Sequence, residues 1–269
     1  MEYLNYSEEV GNALRNHLPI VALESTVITH GLPTPKNLEV ARALEESIRS
    51  LGVVPATIGI LTGDIQIGLT EDQLKALAFC KNVAKVSRRD IAGTMIKKMN
   101  GGTTVSGTIT LAKMAGLKIF ATGGIGGVHR GNLMDISADL PTLANLPILV
   151  ICSGAKSILD LQATREYLET AGIPVLGYGT HEFPAFYSSN SGLKVDYRID
   201  TPAEAAQFAK LHWDLGLDSA VLVTVPIPKE FDIPFAEMEQ IIERALEEME
   251  TQKISGAAAT PFLLARVSQ

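Results

Sequence analysis

Lys156 stands at the end of an apolar run, in VICSGAKSILD (residues 150–160), where Ser153-Gly154-Ala155 gives way to the helical pattern SILDLQATREYLETAG. The start of a helix is the positive end of its dipole, so a cation gains nothing locally from that position. Reactivity offers another reason for it. An amine that is desolvated or crowded by other positive charge loses its proton more readily, and a neutral lysine attacks a sugar C1 to form a Schiff base. Glu24 closes a second apolar run, in LESTVITHG. A carboxylate there is either paired with a cation or used as an acid and base, because an unpaired buried charge is costly. His30, in the same segment, reads as a hydrogen-bonded structural residue.

Three further stretches could hold an anion or a cation. GGTTVSGTITLAKMAGLK (residues 101–118) sets glycines, threonines and a serine before an amphipathic helix. That composition suits either a phosphate cradle of helix-start N–H groups or a glycine turn with ordinary Ser/Thr caps. No GKS or GKT follows, so a nucleoside triphosphate is not indicated. KVSRRD brings Lys85, Arg88 and Arg89 near a strand end, either for a phosphate or as solvated side chains pairing with Asp90. ATGGIGGVHRG (residues 121–131) fails the dinucleotide spacing, since His129 falls where the third glycine belongs. It is either a glycine loop closing His129 and Arg130 over an anion or a surface loop. In DISADL, Asp135 and Asp139 would share a face of a helix, as ligands of a hard divalent cation or as a solvated helix start.

The elements that must position these residues alternate along the chain. PIVALES, PATIGIL, VAKVS, LKIFATG, LPILVICSG, IPVLGYG and SAVLVTVP read as largely buried strands. Between them, Leu38, Ala41, Leu44, Ile48 and Leu51 fall on one helical face. Thr70/Gln73 and Thr201/Glu204 have the spacing of capping boxes, and Gly216 ends the helix that Thr201 opens. Strands alternating with helices predict an α/β fold of three layers, α/β/α, with a mostly parallel mixed sheet. Ligands in such folds sit at the carboxyl ends of strands, where Glu24, Lys85, Gly123 and Lys156 all fall.

With 269 residues, 46% hydrophobic and 20% charged, the chain has ample material for a core. No linker, repeat or charge block divides it, so a single domain over residues 1–269 is expected. The formal net charge of −7 and the scattered basic residues argue against a nucleic-acid polymer as partner. No leader or membrane span is apparent, so a cytoplasmic location is expected and no membrane partner. Cys80 and Cys152 lack zinc or disulfide spacing and read as reduced, buried thiols.

Taken in order, PIVALESTVITHGLPTPKN, PATIGILTGDIQIGL, KVSRRD, GGTTVSGTITLAKMAGLKIFATGGIGGVHRG, DISADL and SGAKSILDLQATREYLETAGIPVLGYGT resemble the pseudouridine-5'-phosphate glycosidase family, which includes the indigoidine-synthesis A-type proteins. The resemblance runs from about residue 8 to the end. It implies a lyase that reversibly splits the C–C glycosidic bond of pseudouridine 5'-phosphate into uracil and ribose 5-phosphate, a divalent metal, typically manganese (Mn2+), and a homotrimer. It further implies Lys156 as covalent nucleophile, Glu24 as proton donor and acceptor, and Asp135 as metal ligand. Lys85, Val105, Ser137, Ala138 and Asp139 match substrate contacts; Val105 could hold a phosphate only through its backbone N–H. Family members usually continue past TPFLLARV, so a C-terminal segment is expected to be missing here. The alternatives are another Schiff-base phosphosugar lyase or aldolase, and a phosphosugar-binding protein without catalysis.

Overall fold

A computed structural model describes residues 3–131, 133–252, 254, 262, 263 and 266. The chain falls into two compact units, one made of the residues up to Thr122 with Asn145–Val150, the other of Gly123–Ala144 with the residues from Ile151 onward.

The first unit runs β1 (Leu4–Tyr6), α1 (Glu8–Arg15), β2 (Ile20–Leu23), α2 (Lys36–Arg49), β3 (Val54–Leu61), β4 (Asp64–Ile67), α3 (Glu71–Phe79), β5 (Val83–Val86), α4 (Ile91–Ile96), β6 (Asn100–Thr103), α5 (Val105–Met114) and β7 (Ile119–Ala121). Its strand order is β1-β4-β3-β2-β7, with β6 pairing both β3 and β5. β2 is parallel to β3 and β7, and β5 to β6, whereas β4 and β6 run antiparallel to β3. Six consecutive residues of β3 are buried, and α1, α2 and α5 all pack against it, which explains its unbroken apolar run. Ile28, Leu38, Ala41, Leu69, Leu74, Leu77 and Ala78 form one core cluster.

The second unit holds β8 (Val128–His129), α6 (Asp139–Leu143), the end of β9 (Leu149–Cys152), β10 (Leu159–Asp160), α7 (Leu161–Thr170), β11 (Val175–Tyr178), β12 (Tyr197–Ile199), α8 (Pro202–Asp214), β13 (Val221–Thr224) and α9 (Phe235–Thr251). The order here is β9-β13-β11-β12, with β11 parallel to β12 and β13, and β8 pairs β10 in a separate two-stranded ladder. The fold class is therefore α/β with a mostly parallel mixed sheet and helices on both sides, as the alternation predicts.

Both predicted capping boxes form, at Thr70/Gln73 and Thr201/Glu204, and Gly216 follows α8 at φ 80°. Three local expectations need correcting. Leu44 and Leu51 are exposed, and the buried line of α2 includes Leu38, Ala41 and the carboxylate of Glu45, which accepts from Thr57 Oγ1 at 2.6 Å. Gly101 and Gly102 lie inside β6 instead of forming a turn. A Cβ on Gly102 would stand 2.1 Å from Thr29 Oγ1, and one on Gly101 2.5 Å from Val86 Cγ2, so close packing of the strand is what excludes a side chain there. The helix expected from Ser157 begins at Leu161, capped by Asp160.

Candidate functional site

In the first unit, Glu24 follows β2 directly, half-buried, with its two carboxylate oxygens accepting from the hydroxyls of Thr26 and Thr122. Of the two partners expected for it, a cation or a role in proton transfer, the structure supplies hydroxyl donors that orient the group without neutralising it. Its neighbour Ser25 is fully buried and ties the segment to β6: Ser25 Oγ donates to the Ile58 carbonyl at 2.6 Å and accepts from the Thr103 N–H at 2.9 Å. Thr103 Oγ1 in turn donates to the same Ile58 carbonyl at 2.7 Å and lies 2.8 Å from Thr108 Oγ1 on α5. Five polar groups with no access to water thus fix Glu24 against the start of α5.

That helix start has the form of an anion cradle. Thr104 caps α5 by accepting from the Gly107 N–H at 3.3 Å, and its own N–H donates to Val86 at the end of β5. Val105 opens the helix and is buried; its side chain is apolar, so its backbone N–H, which an α-helix leaves without an internal acceptor, is the group that could serve an anion. Lys85 is exposed on β5, in register with Gly102. The pKa of His30 is lowered first by burial and second by the Lys85 charge. His30 Nδ1 lies 2.6 Å from Thr29 Oγ1, in keeping with a structural role. Of the remaining cations in KVSRRD, Arg89 is exposed and pairs with Asp90, whose carboxylate also accepts from the Ser87 N–H at 3.0 Å.

In the second unit, the glycine stretch before β8 is the middle of three extended segments. On it sits residues 135–139: His129 N–H donates to the Asp135 carbonyl, Ser137 N–H to the Gly127 carbonyl, and Gly126 N–H to Asp139 Oδ2 at 2.8 Å. Also on it sits the segment of Lys156. Ile125 bridges Ala155, Lys156 N–H donates to the Ile125 carbonyl at 3.1 Å, and β10 continues the pairing to His129. Lys156 and Asp139 are thereby anchored at adjacent residues, Ile125 and Gly126.

Two expectations about this region change. Lys156 is not at a helix start: it is partly buried in a turn four residues before the Asp160 cap, so the dipole of α7 does not act at its position. Asp135 and Asp139 do not share a helix face, because α6 begins only at Asp139; Asp135 is exposed before it, while Asp139 is 5% exposed and committed to Gly126. Ser137 Oγ accepts from the Asp139 N–H at 3.2 Å, and Ala138 occupies the cap position of α6. Among the described residues no three His, Cys, Asp or Glu side chains converge as a metal cluster. A hard cation at Asp135 would complete its shell with water and ligand oxygens, for which a single exposed carboxylate is suited.

Sequence reasoning missed Thr26 and Thr122 as holders of Glu24, the buried Ser25–Thr103–Thr108 network, and Phe186. Phe186 takes φ 62°, unusual for a bulky residue, donates its N–H to Ser153 at 2.9 Å, and places its ring where a Cβ on Gly124 would be, 2.5 Å away. Nor does Arg130 wait for an anion. Its guanidinium is already bonded to Glu239 and to two backbone carbonyls.

The chain is thus an α/β protein in which residues singled out in each unit lie at strand ends: Glu24 after β2 and Thr104 after β6 in the first, Ser153 to Lys156 after β9 in the second. The profile of the indigoidine synthase A like protein family matches residues 9–269, and the chain belongs to that family. It is 52% identical over 267 residues to a pseudouridine-5'-phosphate glycosidase of Caldanaerobacter subterraneus subsp. tengcongensis, covering 98% of this chain and 87% of that one. It is 53% identical over 268 residues to the enzyme of the same name from Geobacillus kaustophilus, covering 99% and 89%. Among solved structures, the prealnumycin C-glycosynthase AlnA in complex with ribulose 5-phosphate superposes with a TM-score of 0.91 at 40% identity, over 100% of this chain and 88% of that one. An indigoidine synthase A (IdgA)-like protein from Thermotoga maritima gives 0.90 at 37% identity, over 98% and 86%.

Proposed function

We propose that this chain is a lyase that reversibly cleaves the C–C glycosidic bond of pseudouridine 5'-phosphate to uracil and ribose 5-phosphate. The observation that carries the reading is the setting of Lys156, an amine in a strand-end turn pinned by backbone hydrogen bonds, in a chain half-identical over nearly its whole length to glycosidases of that name. The C-glycosynthase likeness, with a pentulose phosphate bound to that protein, supports the same kind of bond and the same kind of ligand.

A C-glycoside needs more than an ordinary glycosidase offers, because carbon is a poor leaving group: electrons must be pushed in at C1 and a proton delivered to the departing carbon. In the proposed reaction the neutral Lys156 Nζ bonds to ribose C1 while the C1–O4 bond breaks, and O4 takes up the proton that the nitrogen loses. The nitrogen lone pair then forms an iminium while the bond from C1 to uracil C5 breaks, and Glu24 delivers the proton that C5 takes up. Water hydrolyses the iminium, releasing ribose 5-phosphate and restoring the amine. Thr26 and Thr122 hold the Glu24 carboxylate in orientation for proton exchange. The phosphate is assigned to the Val105 N–H at the start of α5 and to Lys85, and the sugar to Ser137, Ala138 and Asp139. A divalent cation, manganese by the family resemblance, is assigned to Asp135, where it would offset negative charge on the substrate. The resemblance extends the proposal to a cytoplasmic homotrimer.

The test is uracil release from pseudouridine 5'-phosphate, with manganese and with chelator, for the chain and for Asp135→Asn. Metal-dependent release that Asp135→Asn loses supports the proposal. Binding of ribose 5-phosphate without turnover would replace it by a non-catalytic binding protein, and turnover of aldehyde substrates alone by a different lyase or aldolase.

A further inference from the structure

Arg130 uses its guanidinium in two directions at once. Nη1 and Nη2 donate to the two carboxylate oxygens of Glu239 at 2.9 and 2.6 Å, a bidentate pair. Nη2 also donates to the Ser157 carbonyl at 3.0 Å, and Nε to the Leu159 carbonyl at 3.1 Å. The two carbonyls belong to the residue after Lys156 and to the third residue after it. Arg130 and Glu239 side chains are 22% and 26% exposed, so these charge-assisted bonds are largely shielded from solvent. Glu239 is itself fixed, on α9 between the fully buried Met238 and the core residue Ile242.

The Lys156 turn has few other means of holding its shape. Its other contacts are the Lys156 N–H to Ile125, the tight turn from Leu159 N–H to the Lys156 carbonyl and, at its far end, the pairing of Leu159 with His129. Ser157 is fully buried, yet its hydroxyl has no partner among the described residues, so its side chain adds nothing directional. Without Arg130, the carbonyls of Ser157 and Leu159 would lose a charged donor, and the turn carrying the amine would be held only by its two ends, at Ile125 and His129.

We propose that Arg130, backed by Glu239, is a positioning residue for Lys156: the pair aligns the turn so that the amine meets the sugar carbon in a reactive geometry. The proposal rests on the reading of Lys156 as nucleophile. A planar fork is required, since three donors on a lysine ammonium cannot reach a bidentate carboxylate and two separate carbonyls together. Misplacement of a reacting group by about an ångström costs on the order of a hundredfold in rate while leaving ground-state binding largely intact.

The experiment compares wild type, Arg130→Lys and Glu239→Gln by thermal melting, ribose 5-phosphate affinity, kcat, and the rate at which borohydride traps an adduct between ribose 5-phosphate and the protein. Arg130→Lys is expected to keep affinity within about threefold while kcat and the trapping rate fall together by about tenfold to a hundredfold. Glu239→Gln, which leaves Arg130 in place, is expected to show a smaller fall of the same pattern, and decides the question if Arg130→Lys fails to fold. Folded variants that trap the sugar at the wild-type rate, or that lose only affinity, overturn the positioning role while Lys156 stands. A wild-type protein that yields no adduct overturns the nucleophile itself, and this proposal with it.

Discussion

The Gly126 N–H donates to Asp139 Oδ2 at 2.8 Å, and the approach is so close that an added methyl at Gly126 would lie 2.3 Å from Ser137 Oγ and 2.7 Å from that same carboxylate oxygen. Two positions that the family resemblance matches to substrate contacts, Ser137 and Asp139, are therefore set by the absence of a side chain on the facing segment. Gly126→Ala is expected to destabilise the fold by about 1–3 kcal/mol, the usual cost of overpacking. Asp139→Ala, which strands a buried N–H, is expected to cost about as much. The double variant should fall short of the sum, because the residues touch. Urea denaturation of the three variants measures all of this, and full additivity would refute the coupling.

Lys156→Ala is expected to abolish uracil release while ribose 5-phosphate affinity stays within about tenfold, because the amine serves the chemistry more than the ground state. Single-turnover kinetics and calorimetry on the same preparation separate the two. Near-normal turnover would rule out a covalent route through this residue.

Glu24→Gln keeps one oxygen to accept from a threonine hydroxyl and removes the transferable proton. A fall in kcat of about a hundredfold or more is expected with little change in melting temperature. Activity within a few-fold of wild type would assign proton transfer elsewhere.

Burial, assisted by Lys85, holds the pKa of His30 below its ordinary 6.5. The folded protein then binds a proton at His30 less readily than the unfolded chain does. The contribution of His30 to stability is complete above 6.5 and is lost as pH falls from there through the folded value. Unfolding free energy measured at about pH 7.5 and about pH 5.5 is expected to show a loss that His30→Asn reduces. Equal losses in both proteins would contradict this assignment.

Cys152 is buried, and desolvation pushes its thiol pKa up to about 12, whereas Cys80 is only half-buried. Maleimide labelling of the native protein followed by peptide mapping is expected to modify Cys80 well before Cys152. The sequence expectation of two buried thiols thus holds for one of them.

The strands were legible where several apolar residues run together, as in PIVAL and PATIGIL, and helix starts where capping chemistry is local, as at Thr70 and Thr201. β6 was not, because the reason for Gly102 is Thr29, a residue more than seventy positions away whose side chain fills the space. Glu24 and Lys156 could be named from their places at strand ends. Their supports could not: Thr122 reaches Glu24 across 98 residues, and Glu239 reaches Arg130 across 109. The helical pattern after Lys156 misled for a related reason, since Asp160 caps α7 by accepting from Ala163 and stops the helix from extending back to the amine.

The Lys156 turn is located almost wholly by main-chain groups, the carbonyls of Ile125, Ser157 and Leu159 and the N–H groups of Lys156 and Leu159. Gly154, at φ 82° with no room for a Cβ beside the Pro184 carbonyl, completes this address. Arg130 and Glu239 aside, side chains around the turn can therefore change while its main-chain frame stays in place. Such a frame leaves the walls around it open to remodelling while the backbone position of Lys156 stays the same.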